Sequence, residues 1–303
     1  MTVALVANPS AGRGRGARLL PKVEALLRSL DVPHRTFVSR DGADAERLAR
    51  EAAEGGASVV AALGGDGHLG NCANGVIGTR TALATIPAGS GNDFAKHLGI
   101  DPRDPLGAAR LLREPSLRRV DAVRATTPER ARYFVNVGGV GFDSEVNLLA
   151  NRTRFLSGTA KYVYAVFVTL ARFRPGAFAL RLDGQEHRFR AMMVAVANGS
   201  TYGGGMRVCP QAQEDDGLVD VCVVTEIGKW EFVKTFPKVF RGRHVEHPAV
   251  RMLRGEEVQV SADRPFQVFA DGEHVGGVPV TFTVVPGALS VVVPPGGVGG
   301  GRG

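Results

Sequence analysis

Short apolar runs alternate with amphipathic stretches through the first third of the chain. Thr2 to Ala7, His34 to Ser39, Val59 to Leu63 and Ala82 to Ile86 read as strands. The run at Val59 has no polar interruption and stops sharply at glycine, the pattern of a strand buried on both faces of a parallel sheet. Leu19, Leu20, Val23, Leu26, Leu27 and Leu30 recur at intervals of three and four, which predicts a helix in which Pro21 is tolerable only near the first turn. Asp44 to Glu54 reads as a second helix, with an N-terminal acid and a glycine pair after it. Leu69 to Val76 could start a third, and Leu106 to Arg113 is a last short one.

Around Glu114 to Arg119 the character changes. Tyr133 to Val137, Phe178 to Leu182, Ala191 to Val196, Leu218 to Thr225, Val258 to Ala262, Phe266 to Ala270 and Val280 to Val285 read as strands, with a hairpin turn at Asp183-Gly184. The pattern predicts an α/β domain over residues 1–118, a β-rich, sandwich-like domain over 119–294, and a flexible glycine-rich tail at 295–303. Two helical insertions, Thr159 to Phe173 and Lys229 to Arg241, break the β region. Both are ordinary for core helices on a sheet, and both also suit an apolar channel or a membrane surface.

The 303 residues carry a formal charge of +7, which favours acidic partners: nucleotides, anionic membrane surfaces or nucleic acid. No lysine-rich tract with interleaved aromatics is present, which argues against nucleic acid. Cys72, Cys209 and Cys222 are far apart, form no metal-ligand spacing and suggest a reducing compartment. Met1 runs straight into the first strand and no apolar stretch is long enough to span a bilayer, so a cytoplasmic protein without a signal peptide is expected.

Chemistry concentrates where strands end. The first strand runs into Asn8-Pro9-Ser10-Ala11-Gly12, the third into Gly64-Gly65-Asp66-Gly67, and the fourth into a segment holding Ser90, Asn92 and Asp93. In an open α/β sheet such turns share one edge, and ligands bind in the crevice there. Glycines admit a ligand against bare amides, and a helix N-terminus adds anion-binding donors. An acid among them can hold a metal or accept a proton from an attacking hydroxyl.

NPSAGRGRG, GGDG, PAGSGNDFAKHLGI, GVGFDSEV, ANG…GGGMRVCPQAQEDDGLVDV and FADGE occur in the order and at the spacing of the diacylglycerol-kinase-type lipid kinase family, which the chain resembles over residues 3–294. That resemblance implies an ATP- and Mg2+-dependent kinase that phosphorylates a lipid hydroxyl, diacylglycerol foremost, in a cleft between two domains. Asn8, Pro9, Ser10, Ala11 and Gly12 with Gly64, Gly65, Asp66, Gly67 and His68 would hold the nucleotide. Ser39, Ser90 and Asn92 would be neighbouring contacts, and Asp66 and Asp93 would support the metal. Glu273 of Asp271-Gly272-Glu273 would be the general base, with Asp271 and Asp66 the next candidates. A second Mg2+ would sit on the Asp216 carboxylate and the carbonyls of Gln213 and Leu218. Peripheral contact with an anionic membrane and a homodimer are the implied partners.

Two positions depart from the family. His68 replaces a threonine whose hydroxyl would face phosphate, and an imidazole there could donate instead. Asn71 stands near the place of an acid. Other readings stay open: a phosphotransferase like NAD kinase, which shares the GGDG turn, or a non-catalytic lipid- or nucleotide-binding member. The glycine spacing Gly12-x-Gly14-x-x-Ala17 fits a dinucleotide fingerprint, but NPSA separates it from the strand and no acid ends the second strand.

Overall fold

The computed structural model describes residues 1–153, 156 and 158–296. The chain divides into two compact units, one of residues 1–122 with the segment from Pro286 onward, the other Val123–Val285. The sequence boundary at 118 therefore lies short of the structural one, and the C-terminal strand does not stay in the β-rich half. It returns to the first unit, where Val291 pairs in parallel with Leu83. The expected tail at 295–303 lies, past Gly296, outside the described residues.

The first unit runs β1 (Val3–Ala7), α1 (Ala11–Ser29), β2 (His34–Val38), α2 (Gly42–Glu54) and β3 (Val59–Gly64). It continues with α3 (Asp66–Val76), β4 (Ala82–Pro87), α4 (Asp93–His97) and α5 (Pro105–Arg110). β1 lies between β2 and β3, β4 lies outside β3, and all pairings are parallel. Alternate residues of β1, β3 and β4 (Leu5, Ala61 and Ala84 among them) pack on Val23 and Leu27 of α1 and on Ala109 of α5. α2 and α3 cover the opposite face. Both faces are thus dry, which is why these three strands are apolar at almost every position, Thr85 of β4 being the polar one.

Two local readings change. Pro21 lies inside α1 rather than in its first turn. It is exposed, as is Ala17, so the carbonyl that loses its helical donor turns to water. Asp66 is the first residue of α3, not part of the turn before it.

In the second unit β5 (Ser116–Thr126), which begins in the first, leads to β6 (Ala131–Phe134), β7 (Val137–Gly141), α6 (Phe142–Arg152) and α7 (Gly158–Arg172). Then come β8 (Gly176–Leu182), β9 (Gln185–Ala197), β10 (Val219–Thr225), α8 (Lys229–Thr235), β11 (Val250–Gly255) and β12 (Glu257–Ala262). β13 (Gln267–Ala270), β14 (Glu273–Gly277) and β15 (Val280–Val293) close the chain. Pairing within this unit is antiparallel, in the order β14-β13-β7-β9-β8-β12-β15, with β10 on β9 and β11 on β10. The period-two rule sorts side chains to two cores. Val194, Val196, Val221 and Val223 join the interior of the β layers, while Met193, Ala195 and Cys222 meet α6, α7 and α8 on the outside. β5, β11, β14 and α6 have no counterpart in the sequence pattern, and the single strand expected at Tyr133 to Val137 is two, broken at Val135-Asn136.

α2 and α3 pack closely because Gly75 lets them. A Cβ at Gly75 would lie 2.5 Å from the Glu46 carbonyl oxygen and 2.6 Å from Ala49 Cβ, and backbone cannot step aside cheaply. Overpacking of this kind typically costs about 1–3 kcal/mol. Gly75→Val should lower the thermal midpoint, while Gly99→Val, next to open space on the same unit, should act only through its positive φ. Equal midpoints for the Gly75 variant and the parent would show that the helices are not in close contact.

Candidate active site

The first unit brings three strand ends together. β1 leads to α1 on one face and β3 leads to α3 on the other, so the β1–β3 boundary is a topological switch point, where loops diverge and leave a crevice. After β1, Asn8 Oδ1 accepts from the Ser10 amide at 3.0 Å, while the Asn8 amide donates to the Leu63 carbonyl at 2.9 Å. The chain then takes three left-handed residues, Gly12, Arg13 and Gly14, before α1 proper. Glycine at two of these three positions removes most of the steric cost of such a run. The Ala88 carbonyl lies where Gly12 would carry a Cβ, so the first and fourth strand ends touch.

The remaining contact is between the third and fourth. A Cβ on Gly89 would lie 2.5 Å from Gly65 Cα, so the loops meet backbone to backbone. Asn92, itself left-handed, closes its own loop by accepting from the Gly89 amide at 3.0 Å and donating to the Gly89 carbonyl at 2.9 Å. Asp66 Oδ1 accepts from the Phe94 amide at 3.1 Å and so ties the start of α3 to the start of α4. Ser39 is at the same edge, with its hydroxyl on the Ala7 carbonyl at 3.1 Å, and Ser90 is exposed. Of the expected contacts, Asn8 to Gly12, Gly64 to Gly67, Ser39, Ser90, Asn92 and Asp93 therefore share one edge.

Burial first, then the charge of Asp93, pushes the Asp66 carboxyl above its ordinary range, while amides of Phe94, Asn92 and Asp93 pull it back. Two carboxylates competing in this way suit a hard cation, whose ligands are oxygens. The pair fits Mg2+. Lys96, one turn along α4, donates to Asp93 Oδ1 at 2.9 Å. It escaped the sequence reading, although the spacing Asp93-x-x-Lys96 on a helix was its signal.

The expected role of His68 is not what the structure shows. Its ring turns into the core, packs beneath Gly64, and donates from Nε2 to the Val6 carbonyl at 2.9 Å. Burial lowers its pKa, so the ring is the neutral form and adds no charge at the loop. Asn71 likewise is buried, its amide against Gly42 at the start of α2. Neither side chain therefore offers a donor to the crevice. The three thiols are buried as well.

Asp271 in the second unit is a structural acceptor. Its carboxylate takes the amides of Val135 at 2.8 Å and of Asn136 and Val137 at 3.1 Å each, which breaks the strand there into β6 and β7. Both oxygens of this carboxylate are engaged by backbone amides, which gives Asp271 an architectural role. Asp271 and Gly272 both have positive φ and form the two-residue turn that joins Ala270 of β13 to Glu273 of β14. Glu273 is left half-buried at the head of β14, beside this fixed turn.

At Gln213, Asp216 and Leu218, where the resemblance implies a structural Mg2+, the Asp216 carboxylate has protein partners. Asp216 Oδ1 accepts from the Leu218 amide at 3.0 Å, and Oδ2 is ion-paired with the Arg254 guanidinium. Arg254 also faces Asp220 at 3.6 Å, its cross-strand partner on β10. Burial outweighs this neighbour and pushes the Asp220 carboxyl up to about 6. A dication would have to displace a guanidinium already in place. Only the distant Arg254 explains the difference, and nothing local to Asp216 in sequence pointed to it.

Asp143, in the first turn of α6, accepts from the Tyr202 hydroxyl at 2.7 Å. It keeps some contact with solvent, yet the mass packed around it pushes its carboxyl up to about 6, against the pull of Tyr202.

Residues 2–125 match the family described as the diacylglycerol kinase catalytic domain, and residues 136–293 match the YegS C-terminal NAD kinase beta sandwich-like domain. A diacylglycerol kinase of Mycobacterium tuberculosis is 33% identical over 294 residues, 96% of this chain and 95% of the relative. A probable lipid kinase, YegS-like, of Chromohalobacter salexigens is 30% identical over 290 residues, 93% of this chain and 92% of the relative. Among solved structures, a putative diacylglycerol kinase from Bacillus anthracis superposes with a TM-score of 0.81 at 25% identity, covering 98% of this chain and 96% of the other.

Two measurements test these assignments. Metal analysis after dialysis against Mg2+ should find no cation held through Asp216 in the parent, whereas Arg254→Gln should gain one that Asp216→Asn in the same background removes. A parent that loses bound metal on Asp216→Asn alone would restore the cation site. The second concerns pH. A carboxyl raised to about 6 in the folded state, against about 3.9 unfolded, binds its proton more tightly when folded, so its stabilising contribution is full below about 4 and lost as pH rises to about 6. Urea unfolding across that window should therefore show a falling stability that Asp143→Asn flattens, with Asp220 leaving a residue of the same sign. An unchanged slope would mean that Asp143 titrates normally.

Proposed function

The chain belongs to the diacylglycerol kinase family of lipid kinases, and we propose that it transfers the γ-phosphate of ATP to the hydroxyl of a lipid, diacylglycerol giving phosphatidic acid. The observation that carries this reading is the meeting of three glycine turns at the switch point of the first unit's sheet, with two acids among them.

Phosphoryl transfer asks a protein mainly to position the reactants and to neutralise charge. The backbone of Asn8 to Gly12 and of Gly64 to Gly67 supplies close approach and amide donors, and the first turn of α3 adds its dipole. Asp66 holds two of the loops in register through the Phe94 amide. Asp66 and Asp93 would hold Mg2+, which when bound neutralises the phosphate oxygens. The acceptor hydroxyl must lose a proton as it attacks, and Glu273 is the group assigned to take it. Asp271 supports that role indirectly: by anchoring the Val135 to Val137 amides it fixes the turn from which Glu273 projects.

Those two acids should separate cleanly. General-base catalysis typically contributes about a hundredfold to ten-thousandfold. Glu273→Gln should lose transfer to diacylglycerol by that order, with nucleotide affinity and thermal midpoint nearly unchanged. Asp271→Asn presents an amide donor to the amides it now accepts, and losing a hydrogen bond to a charged acceptor costs about 1.5–3 kcal/mol. Its midpoint should fall. Near-normal transfer by Glu273→Gln, measured with labelled ATP and Mg2+, would remove Glu273 as the base.

A further inference from the structure

The loop cluster of the first unit gathers neutral amides and two acids. Asp66 opens α3 and Asp93 opens α4, and the two carboxylates are close enough for the charge of one to act on the other. No glycine-rich turn of this chain ends in Gly-Lys-Ser or Gly-Lys-Thr, the run that offers a lysine to phosphate in P-loop proteins. The negative charge of the acids, and of any phosphate brought to them, therefore needs a cation from elsewhere.

Lys96 stands in that place. Its Nζ donates to Asp93 Oδ1 at 2.9 Å, three residues away on the same face of α4. The two partners differ in setting. The Asp93 side chain is 2% exposed and fixed at the first position of the helix, whereas that of Lys96 is 44% exposed. An ion pair with one partner so exposed is weakly held, and a lysine on a flexible four-carbon stem can move its ammonium to a better anion. Other basic groups around the turns have different partners. Arg15 donates to the Pro102 carbonyl at 3.2 Å, Arg40 is paired with Asp44, and the His68 ring is neutral and turned inward. Lys96 is the cation that the fold sets on the acids themselves.

Phosphoryl transfer spreads charge over the oxygens of the group in flight, and kinases answer it with a metal and a basic side chain. A divalent ion and an ammonium on one carboxylate repel each other, so each weakens the other's hold on Asp93. We propose that Lys96 is the phosphate-positioning cation of this site. In the free chain its ammonium occupies Asp93 and opposes a bare divalent ion there; with nucleotide bound it turns from Asp93 to the terminal phosphate. The metal site is then completed together with the nucleotide and not before it. This inference rests on the kinase reading of the site, and its two halves are measured separately.

Lys96→Met keeps the apolar stem and removes the charge. Mn2+ binding to the nucleotide-free full chain, read by electron paramagnetic resonance, should be about fivefold tighter in Lys96→Met than in the parent, the gain from removing a competing ion pair of about 1 kcal/mol. Asp93→Asn in the same background should abolish the gain, which ties the signal to this site. A lysine that merely braced Asp93 would give the opposite sign, weaker Mn2+ binding on its removal, and that result overturns the proposal. ATP should bind Lys96→Met about tenfold more weakly by calorimetry, the loss of one charge-assisted contact, while ADP, which lacks the terminal phosphate, should bind both proteins alike. The kcat for transfer to a short-chain diacylglycerol should fall about a hundredfold, with the KM for that acceptor unchanged. Lys96→Arg should recover most of the ATP affinity and the opposition to Mn2+. Lys96→Gln, which still donates to Asp93 without charge, repeats the test should the methionine variant fail to fold. Equal losses for ATP and ADP, or none for either, would place Lys96 away from the terminal phosphate and overturn the proposal. A parent that binds ATP but phosphorylates no lipid would count against the kinase reading, and the Mn2+ and nucleotide measurements would still decide the role of Lys96.

Discussion

The first unit depends on a backbone contact that only glycine permits, the approach of Gly89 to Gly65 Cα. A side chain at Gly89 would wedge the third and fourth strand ends apart, and one at Gly65 would crowd Gly89. With them in contact, Asp66 reaches the Phe94 amide, and Ala88 comes to rest against Gly12. The three loops are therefore one object, and displacing one displaces the others. This is the economy of a site made from backbone: its donors are rigid because strands hold them, and its acids are few because amides do most of the work.

The second unit relies on a different device. Asp271 is not sequestered for chemistry but for architecture, since one carboxylate answers three consecutive amides that a strand would otherwise have paired. Interrupting β6–β7 there lets the turn at Asp271-Gly272 sit against the break. Asp216 and Arg254 show the same economy of charge. A guanidinium on β11 satisfies acids at Asp216 and on β10, where the family resemblance led one to expect a metal.

Burial on two sides explains why α7 and α8 resist a single description. Met193, Ala195 and Cys222 give them an apolar floor, so their inner faces are ordinary core. Their outer faces stay apolar without that reason, and cations instead of acids surround them. A helix that only covered a sheet would carry mixed polar residues outward.

The sequence alone determined the class of the fold, the glycine turns and the family, because those depend on short-range pattern: apolar runs stopped by glycine, and motifs in a fixed order. It read β1 to β4 and the Asp183-Gly184 turn correctly for the same reason. It could not find β11 or β14, whose exposed faces dilute the alternation, nor α6, which begins inside a glycine-rich motif. Above all it could not see partners far along the chain. That His68 meets the Val6 carbonyl, that Asp271 takes the amides of Val135 to Val137, and that Asp216 meets Arg254 were decided by tertiary contacts across 62, 134 to 136 and 38 residues. Local sequence sets what a side chain can do, and the fold sets which group is close enough for it to do it with.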